Sequence, residues 1–260
     1  MSQLEYTDQG SGPCIVLLHG FCECKEIWEN LSAKLSKEFR VICPDMPGNG
    51  KSPLTDDVQS LSDYARKINE TLQTASVETC VMIGHSLGGY VTLAYAEQFP
   101  DALSGIGLFH STAFEDDDDK RENRDRAIEF VRQNGAEKFI KYMFPNLFSA
   151  TTKDTKPEVI KQAIELCLNK CSIESVERAS LAMKARPDRI NIVKTFPKPI
   201  LYIIGKEDQS VPLQKGLEQC YLPSDSHVHF MQEVGHMGMF EAPEKTLSTI
   251  NSFAHYCYIQ

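Results

Sequence analysis

Short apolar runs alternate along the chain with segments whose apolar residues recur every three or four positions. The clearest helical stripe is formed by Leu61, Tyr64, Ala65, Ile68 and Leu72. Strands that alternate with helices predict a mostly parallel sheet with helices on both faces, the α/β class. The predicted strands are 14–18, 41–43, 80–83, 105–109, 200–204 and 228–231, and residues 4–7 can add an antiparallel edge strand.

The ends of two helices are also marked in the sequence. Ser60 with Asp63 three residues later is typical of a capping box, which starts the helix at residue 61. Pro100 ends the helix that follows the third predicted strand. A last helix is expected at about residues 243–255.

The alternation stops between the fourth and fifth of these strands. Residues 116–126 are highly charged, and four helical stretches follow before residue 199. Connections in compact domains are usually ~2–6 residues long. This insertion runs from residue 114 to residue 198, so we expect it to have a role of its own. The predicted organisation is therefore a core formed by residues 1–113 and 199–260, interrupted by a four-helix cap at 114–198.

Composition and charge exclude several classes of function. Hydrophobic residues make up 42% and charged residues 24%, as in globular domains. A net charge of −9 argues against a nucleic-acid partner, because phosphate binding needs clustered Lys and Arg. No apolar run approaches the ~20 residues that span a bilayer. The first residues carry no basic segment followed by an apolar one, so we expect a cytoplasmic protein without a membrane partner.

The nine cysteines favour buried thiols over disulfides or a metal centre. Cys14, Cys43 and Cys80 lie in or beside apolar runs, as expected of small apolar residues in a reducing compartment. The spacings Cys22-x-Cys24 and Cys167-x3-Cys171 admit a zinc reading, but neither is matched by a second pair of the same spacing. The acidic run at 116–119 is interpreted as a solvated loop, so no metal is expected.

A serine stands between glycines where the third strand meets a helix. Gly84-His85-Ser86-Leu87-Gly88 matches the G-x-S-x-G turn, in which a tight backbone exposes the serine hydroxyl above the sheet. The backbone N–H of Leu87, at the start of the helix, can bind a developing oxyanion. The alternative is a glycine-rich packing turn.

A nucleophilic serine needs a base and a carboxylate to orient that base. Of seven histidines, His236 lies in a glycine-bracketed loop after the last strand, at the same sheet end as Ser86. Asp208 follows the fifth of the six core strands and is preferred over its neighbour Glu207 as the third member. The other histidines fit less well by position, namely His19, His85, His110, His227, His229 and His255.

The loop after the first core strand supplies the second oxyanion donor. In Leu17-Leu18-His19-Gly20-Phe21, the backbone N–H of Phe21 is the candidate. Residues 45–52 are glycine-rich but lack the G-x4-G-K-[ST] spacing of a phosphate loop. We therefore expect neither nucleotide binding nor another cofactor.

With these motifs in order, the chain resembles the α/β-hydrolase superfamily over nearly its full length. The resemblance rests on HGF at 19–21, DMPGNGKS at 45–52, GHSLGG at 84–89, GKEDQSVP at 205–212 and GH at 235–236. It implies a sheet of about eight strands, a helical cap, and a triad of Ser86, Asp208 and His236. The chain start looks short for the first edge strand. Ser86 excludes the epoxide hydrolases and haloalkane dehalogenases, which have aspartate there.

HGF followed by Trp28 is similar to small capped esterases, enol-lactone hydrolases and hydrolase-like signalling proteins. We therefore expect an enzyme that cleaves a small-molecule carboxylic ester through an acyl-enzyme. A homodimer is also compatible with this resemblance. Alternatives are a ligand sensor with a capped pocket, or cleavage of a lactone, thioester, amide or C–C bond by the same triad. The expected pocket residues are Trp28, Phe139, Met143, Phe144, Met183 and Met237.

Overall fold

A computed structural model of the chain describes residues 3–259 and shows a seven-stranded sheet. The strand order is β1-β3-β2-β4-β5-β6-β7, with β1 antiparallel to β3 and all other pairs parallel. The strands are β1 Tyr6–Gln9, β2 Cys14–Leu18, β3 Arg40–Pro44, β4 Cys80–His85, β5 Leu103–Phe109, β6 Ile200–Gly205 and β7 Ser226–Met231.

The predicted α/β class is confirmed, whereas the expected count of about eight strands is one too high. Every residue of β2, β4 and β6 is buried, which explains their continuous apolar sequences. No residue of the edge strand β1 is fully buried, so its weak apolar signal predicts it two residues too early. The seven strands correspond to the six apolar core runs and this one antiparallel edge.

Twelve α-helices accompany the sheet in the described part of the chain. The capping box at Ser60 is formed as expected, since its side chain accepts from Asp63 N–H and the Asp63 carboxylate accepts from Ser60 N–H. The helices are α1 Glu29–Leu35, α2 Leu61–Thr74, α3 Leu87–Gln98, α4 Asp118–Asn134, α5 Ala136–Met143, α6 Ala150–Thr155, α7 Pro157–Cys167, α8 Ile173–Lys184, α9 Ile190–Thr195, α10 Leu213–Gln219, α11 Gly238–Glu241 and α12 Pro243–Ile259. None of the helices within residues 3–259 is both long and apolar enough to cross a membrane.

Two apolar layers enclose the sheet, one on each face. Val16 and Leu18 point into the layer formed with α2 and α3, whereas Ile15 and Leu17 point into the layer formed with α1 and α12. This division follows from the two-residue period of a strand. The second layer continues into the residues between β5 and β6, so the inserted helices share a core with the sheet.

The insertion between β5 and β6 contains helices α4 to α9. Four of them, α4, α5, α7 and α8, correspond to the predicted cap helices, and α6 and α9 are short additions. A 3₁₀ turn at Phe144–Leu147 separates α5 from α6. The division into 1–113, 114–198 and 199–260 stays a prediction, and residues 1, 2 and 260 lie outside the described part.

A buried ion pair fixes the loop after β2 against the loop after β3. Lys25 Nζ lies 2.6 Å from Asp45 Oδ2, and the Lys25 backbone N–H donates to Asp45 Oδ1 at 2.8 Å. His19 Nε2 accepts from the Met46 N–H, and Ser52 Oγ donates to the Asp45 carbonyl. These contacts hold the glycine-rich loop 45–52 as a structural support for the segment 19–25.

Asp45→Ala should lower the free energy of unfolding by about 3–5 kcal/mol, because it removes the nearer, buried carboxylate from the Lys25 ammonium and leaves only the contact with Glu26 at 3.2 Å. The matched control is Asp8→Ala, which removes a partly exposed pair with Arg40 and should cost about 1 kcal/mol or less. Urea unfolding of both variants measures the difference. Equal losses would show that the Lys25–Asp45 pair does not support this loop.

Candidate active site

Ser86 has a backbone conformation that non-glycine residues rarely adopt. Its φ is 51° and its ψ is −113°, between the end of β4 and the first residue of α3. Ser86 N–H donates to the Phe109 carbonyl at 2.9 Å, and the Ser86 carbonyl accepts from Ser111 Oγ at 2.8 Å. The strained turn is therefore held from both sides by β5 and the residues that follow it.

Close backbone approach explains the glycines on either side of Ser86. A Cβ on Gly84 would lie 2.1 Å from the Gly88 carbonyl carbon, and one on Gly88 would lie 2.4 Å from the Leu18 carbonyl oxygen. Neither space admits a side chain. The interpretation of Gly84–Gly88 as a strand-to-helix turn around a serine thus agrees with the geometry.

Asp208 and His236 form a direct hydrogen bond. His236 Nδ1 lies 2.8 Å from Asp208 Oδ2, while Asp208 Oδ1 accepts from the backbone N–H groups of Ser210 and Val211. Burial acts to raise the pKa of Asp208, but the adjacent His236 and these donors outweigh it and hold the pKa below its usual value. An ionised Asp208 keeps the proton of His236 on Nδ1, which leaves Nε2 available as a base.

The backbone of His236 is fixed at both its polar groups. Its N–H donates to the Leu147 carbonyl at 2.7 Å, and its carbonyl accepts from His85 Nε2 at 2.8 Å. The Glu241 carboxylate accepts from the N–H groups on both sides of His236 through one oxygen and from Ser149 N–H through the other. The cap and the core therefore position this loop together.

Glu23 and His85 form a buried ion pair beside His236. His85 Nδ1 lies 2.9 Å from Glu23 Oε2, which also accepts from Gly20 N–H. Burial opposes charge on both groups, but each partner stabilises the other, so the pKa of Glu23 is lowered and that of His85 is raised. Both His85 nitrogens face acceptors, so His85 serves as a donor that supports His236 and not as the base for Ser86.

His110 lies near the same carboxylate but is held neutral. Its Nδ1 is 3.7 Å from Asp208 Oδ2 and accepts from Gly205 N–H at 3.1 Å. Complete burial lowers the pKa of His110 well below its usual value, more than the Asp208 charge raises it. His236 is therefore the histidine that is charge-coupled to Asp208 through a short hydrogen bond.

Ser86 and His236 open into one cavity between the core and the cap. Its empty space measures about 480 Å³, open solvent at its mouth included. Phe21 lines the cavity, and Leu87 is the first residue of α3, where a helix leaves its N–H without an intrahelical partner. The complete lining is Phe21, Glu23, Ser86, Tyr90, Arg124, Met143, Leu147, Met183, Ser210, Val211 and His236.

Of the six residues predicted to line the pocket, Met143 and Met183 do so, whereas the prediction is wrong for the other four. Trp28 is fully buried beneath the site and packs against His85 and Phe109. The remaining three belong to the same apolar layer, namely Phe139, Phe144 and Met237. Their side chains fill the interior of the cap and its contact with the sheet, because large apolar residues gain most from complete burial.

Sequence reasoning did not find the polar part of the cavity wall. Glu23 lies two residues beyond Phe21, inside Cys22-x-Cys24, where no local pattern marks it as a site residue. Arg124 belongs to the charged stretch 116–126, in which no pattern distinguishes it from its neighbours, yet it lines the cavity. Tyr90 is buried on α3, and a buried helical position does not reveal that the residue also lines a cavity.

All nine cysteines are free thiols, six of them buried. The fold brings the two short cysteine motifs together, since Cys22 interacts with Cys171 and Cys24 with Cys167. Burial raises the pKa of Cys22 well above its usual value. Within residues 3–259, no group of three or more candidate ligands has metal-binding geometry. That no metal or other cofactor is needed stays a prediction.

Comparison with known proteins agrees with the fold and the motifs. A family model described as the alpha/beta hydrolase fold matches residues 13–243. The chain belongs to the α/β-hydrolase family. The superfamily inferred from the five motifs is thereby confirmed. The matched range includes the segments that carry Ser86, Asp208 and His236.

The known proteins to which this chain is similar differ in the share of their length that the similarity covers. An uncharacterized protein of Mycobacterium tuberculosis (strain ATCC 25618 / H37Rv) is 40% identical over 99 residues, 38% of this chain but only 29% of that protein. The 2-(acetamidomethylene)succinate hydrolase of Mesorhizobium japonicum is 25% identical over 96% of this chain and 91% of its own. A thermophilic esterase from Thermogutta terrifontis superimposes with a TM-score of 0.92 at 29% identity, over 98% of this chain and 94% of its own.

The positions of Met143 and Phe144 predict different effects of truncation. Met143→Ala enlarges the cavity and should raise the preference for 4-nitrophenyl hexanoate over 4-nitrophenyl acetate roughly tenfold. Phe144→Ala opens a hole in the apolar layer and should instead lower the free energy of unfolding by about 3–5 kcal/mol. Relative kcat/KM values and urea unfolding separate the two. A change of preference in Phe144→Ala alone would contradict this assignment.

Proposed function

We propose that this protein is a serine hydrolase that cleaves small carboxylic esters through an acyl-enzyme. The observation that carries the proposal is the convergence of the strained Ser86 turn and the Asp208–His236 hydrogen bond on one cavity. An imidazole that opens into the same cavity as a serine can supply the base that the serine hydroxyl needs. The esterase name of one structural relative supports the same reaction class.

In the first half of the reaction, Ser86 Oγ attacks the ester carbonyl carbon while His236 Nε2 takes the hydroxyl proton. The carbonyl oxygen becomes an oxyanion, which accepts hydrogen bonds from the N–H groups of Leu87 and Phe21. Asp208 stabilises the imidazolium that forms on His236. Collapse of the tetrahedral intermediate breaks the ester C–O bond, and His236 returns the proton to the departing alcohol.

In the second half, water attacks the acyl-enzyme carbonyl and His236 takes a proton from it. The same oxyanion donors stabilise the second tetrahedral intermediate. Its collapse breaks the bond to Ser86 Oγ, which regains its proton from His236, and the carboxylic acid leaves. The Glu23–His85 pair fixes the His236 carbonyl throughout, so the imidazole need not reorient between the two halves.

The direct test is the rate of 4-nitrophenyl acetate hydrolysis by Ser86→Ala. Loss of the nucleophile should lower kcat by as much as ~10⁶-fold, and Asp208→Asn should lower it by about 10⁴-fold because His236 then adopts the wrong tautomer. Ser252→Ala, at an exposed serine of α12, is the matched control and should retain the full rate. Turnover that survives in Ser86→Ala would rule out the mechanism.

A ligand sensor built on the same fold is the second candidate from the sequence. It would give a single turnover with a stable acyl-enzyme, whereas an enzyme gives many turnovers per Ser86. A panel of ester, lactone, thioester and C–C bond substrates then identifies the bond that is cleaved. A cytoplasmic location and a homodimer stay predictions.

A further inference from the structure

One cationic side chain in the cavity wall has most of its hydrogen-bonding capacity unused. Arg124, on α4, lines the same cavity as Ser86 and His236. Its Nε donates to Asp116 Oδ2 at 3.1 Å. Among residues 3–259, no hydrogen-bond partner is found for its two terminal nitrogens, Nη1 and Nη2. A guanidinium with two free parallel donors matches a carboxylate in a bidentate arrangement.

The charges around Arg124 do not cancel. Asp116 is fully buried and meets two arginines, because Arg186 Nη1 lies 2.7 Å from its Oδ1. Burial acts to raise the pKa of Asp116, but the two guanidinium groups outweigh it and keep the carboxylate ionised. One carboxylate between two arginines leaves one positive charge.

That remaining charge belongs to Arg124 because Arg186 is already occupied. Arg186 donates to the carbonyls of Met183 and Phe114, each at 3.0 Å, and its guanidinium lies 3.9 Å from the ring centroid of Tyr90. Only 2% of its side chain is exposed, whereas Arg124 exposes 22%. Arg186 therefore holds Asp116 and the cavity wall in place, and Arg124 presents the charge.

The carboxylate and the imidazole that also line the cavity are each paired with a buried neighbour. Glu23 is paired with His85, and His236 with Asp208. Among the described lining residues, Arg124 is thus the one charged group without a full counter-charge. A partly buried guanidinium that shares its only carboxylate with a second arginine is costly, so a natural ligand that brings an anion to its free nitrogens is expected.

We propose that Arg124 is a specificity-determining residue that binds a free carboxylate of the substrate, so that the preferred substrates are anionic esters. This inference rests on the ester hydrolysis proposed above and names its substrate class. A monoanion is favoured because a single uncompensated positive charge is available. The carboxylate can lie on the acyl or the alcohol side of the ester bond, and the experiment addresses both.

The test compares esters that differ only in a terminal carboxylate or methyl group. For the acyl side, the pair is mono-4-nitrophenyl adipate and 4-nitrophenyl hexanoate, and for the alcohol side 4-acetoxybenzoate and 4-methylphenyl acetate. In Arg124→Met, the kcat/KM ratio of anionic to neutral ester should fall about 10- to 100-fold in at least one pair, as expected for lost hydrogen bonds to a charged group. Arg124→Lys should give an intermediate ratio, because the charge remains but the bidentate geometry is lost.

The matched control is Arg126→Met on the same helix. Arg126 is 64% exposed and pairs with Glu122, so its replacement removes the same net charge away from the cavity. Its ratios should equal those of the wild type. Thermal unfolding of Arg124→Met and Arg124→Lys verifies that both retain the fold, which Arg186 continues to support through Asp116. Unchanged ratios in both substrate pairs for Arg124→Met would overturn the proposal.

Calorimetric binding of adipate separates this inference from the proposed function, since it needs no turnover. Affinity for adipate at least tenfold weaker in Arg124→Met, in a protein that hydrolyses no ester, would support the anion site and reject the hydrolase proposal. Ester hydrolysis that depends on Ser86 but gives the same substrate ratios without Arg124 would reject the anion site and leave the hydrolase proposal intact.

Discussion

The close contact between the Gly84–Gly88 turn and the backbone after β2 is the constraint on which the candidate site depends. Ser86 keeps a positive φ because the segment is held between β5 and the carbonyls of Leu18 and His19. The same contact places the start of α3 beside the loop that carries Phe21. One packing requirement thus positions the nucleophile and both candidate oxyanion donors.

Electrostatic pairing organises the surroundings of this turn. The Asp45–Lys25 pair joins the loop 45–52 to the segment 19–25. The Glu23–His85 pair fixes the His236 carbonyl, and Asp208 orients the His236 imidazole. Buried pairs of this kind contribute little net stability, but removing one partner is costly, so they enforce a single arrangement. Arg124 differs from these groups because it shares its carboxylate with Arg186, which is why we propose that it binds a ligand.

The core and the site motifs could be predicted because local sequence determines them. Buried strands require continuous apolar runs, and the turn around Ser86 requires glycine at Gly84 and Gly88, so both leave a readable pattern. Asp208 and His236 follow from the same logic, since the carboxyl ends of parallel strands meet at one sheet edge. The edge strand β1 was less well placed, because half-exposed residues give a weak signal.

The cavity wall depends instead on how the cap packs over the sheet, which no local pattern encodes. Phe144 and Met143 are adjacent, yet one lies in the apolar layer and the other faces the cavity. Likewise, Arg124 and Arg126 belong to one charged helical segment, yet Arg124 lines the cavity whereas Arg126 pairs with Glu122 at the surface. Cap residues can therefore be assigned to packing or to substrate only from the fold.

The most direct measurement is a crystal structure of the protein after reaction with a fluorophosphonate ester. The account predicts a phosphorus–oxygen bond to Ser86 Oγ, with the phosphonyl oxygen within about 3 Å of the N–H groups of Leu87 and Phe21 and His236 Nε2 beside the bonded oxygen. Absence of an adduct on Ser86, or a phosphonyl oxygen directed away from both amides, would contradict it.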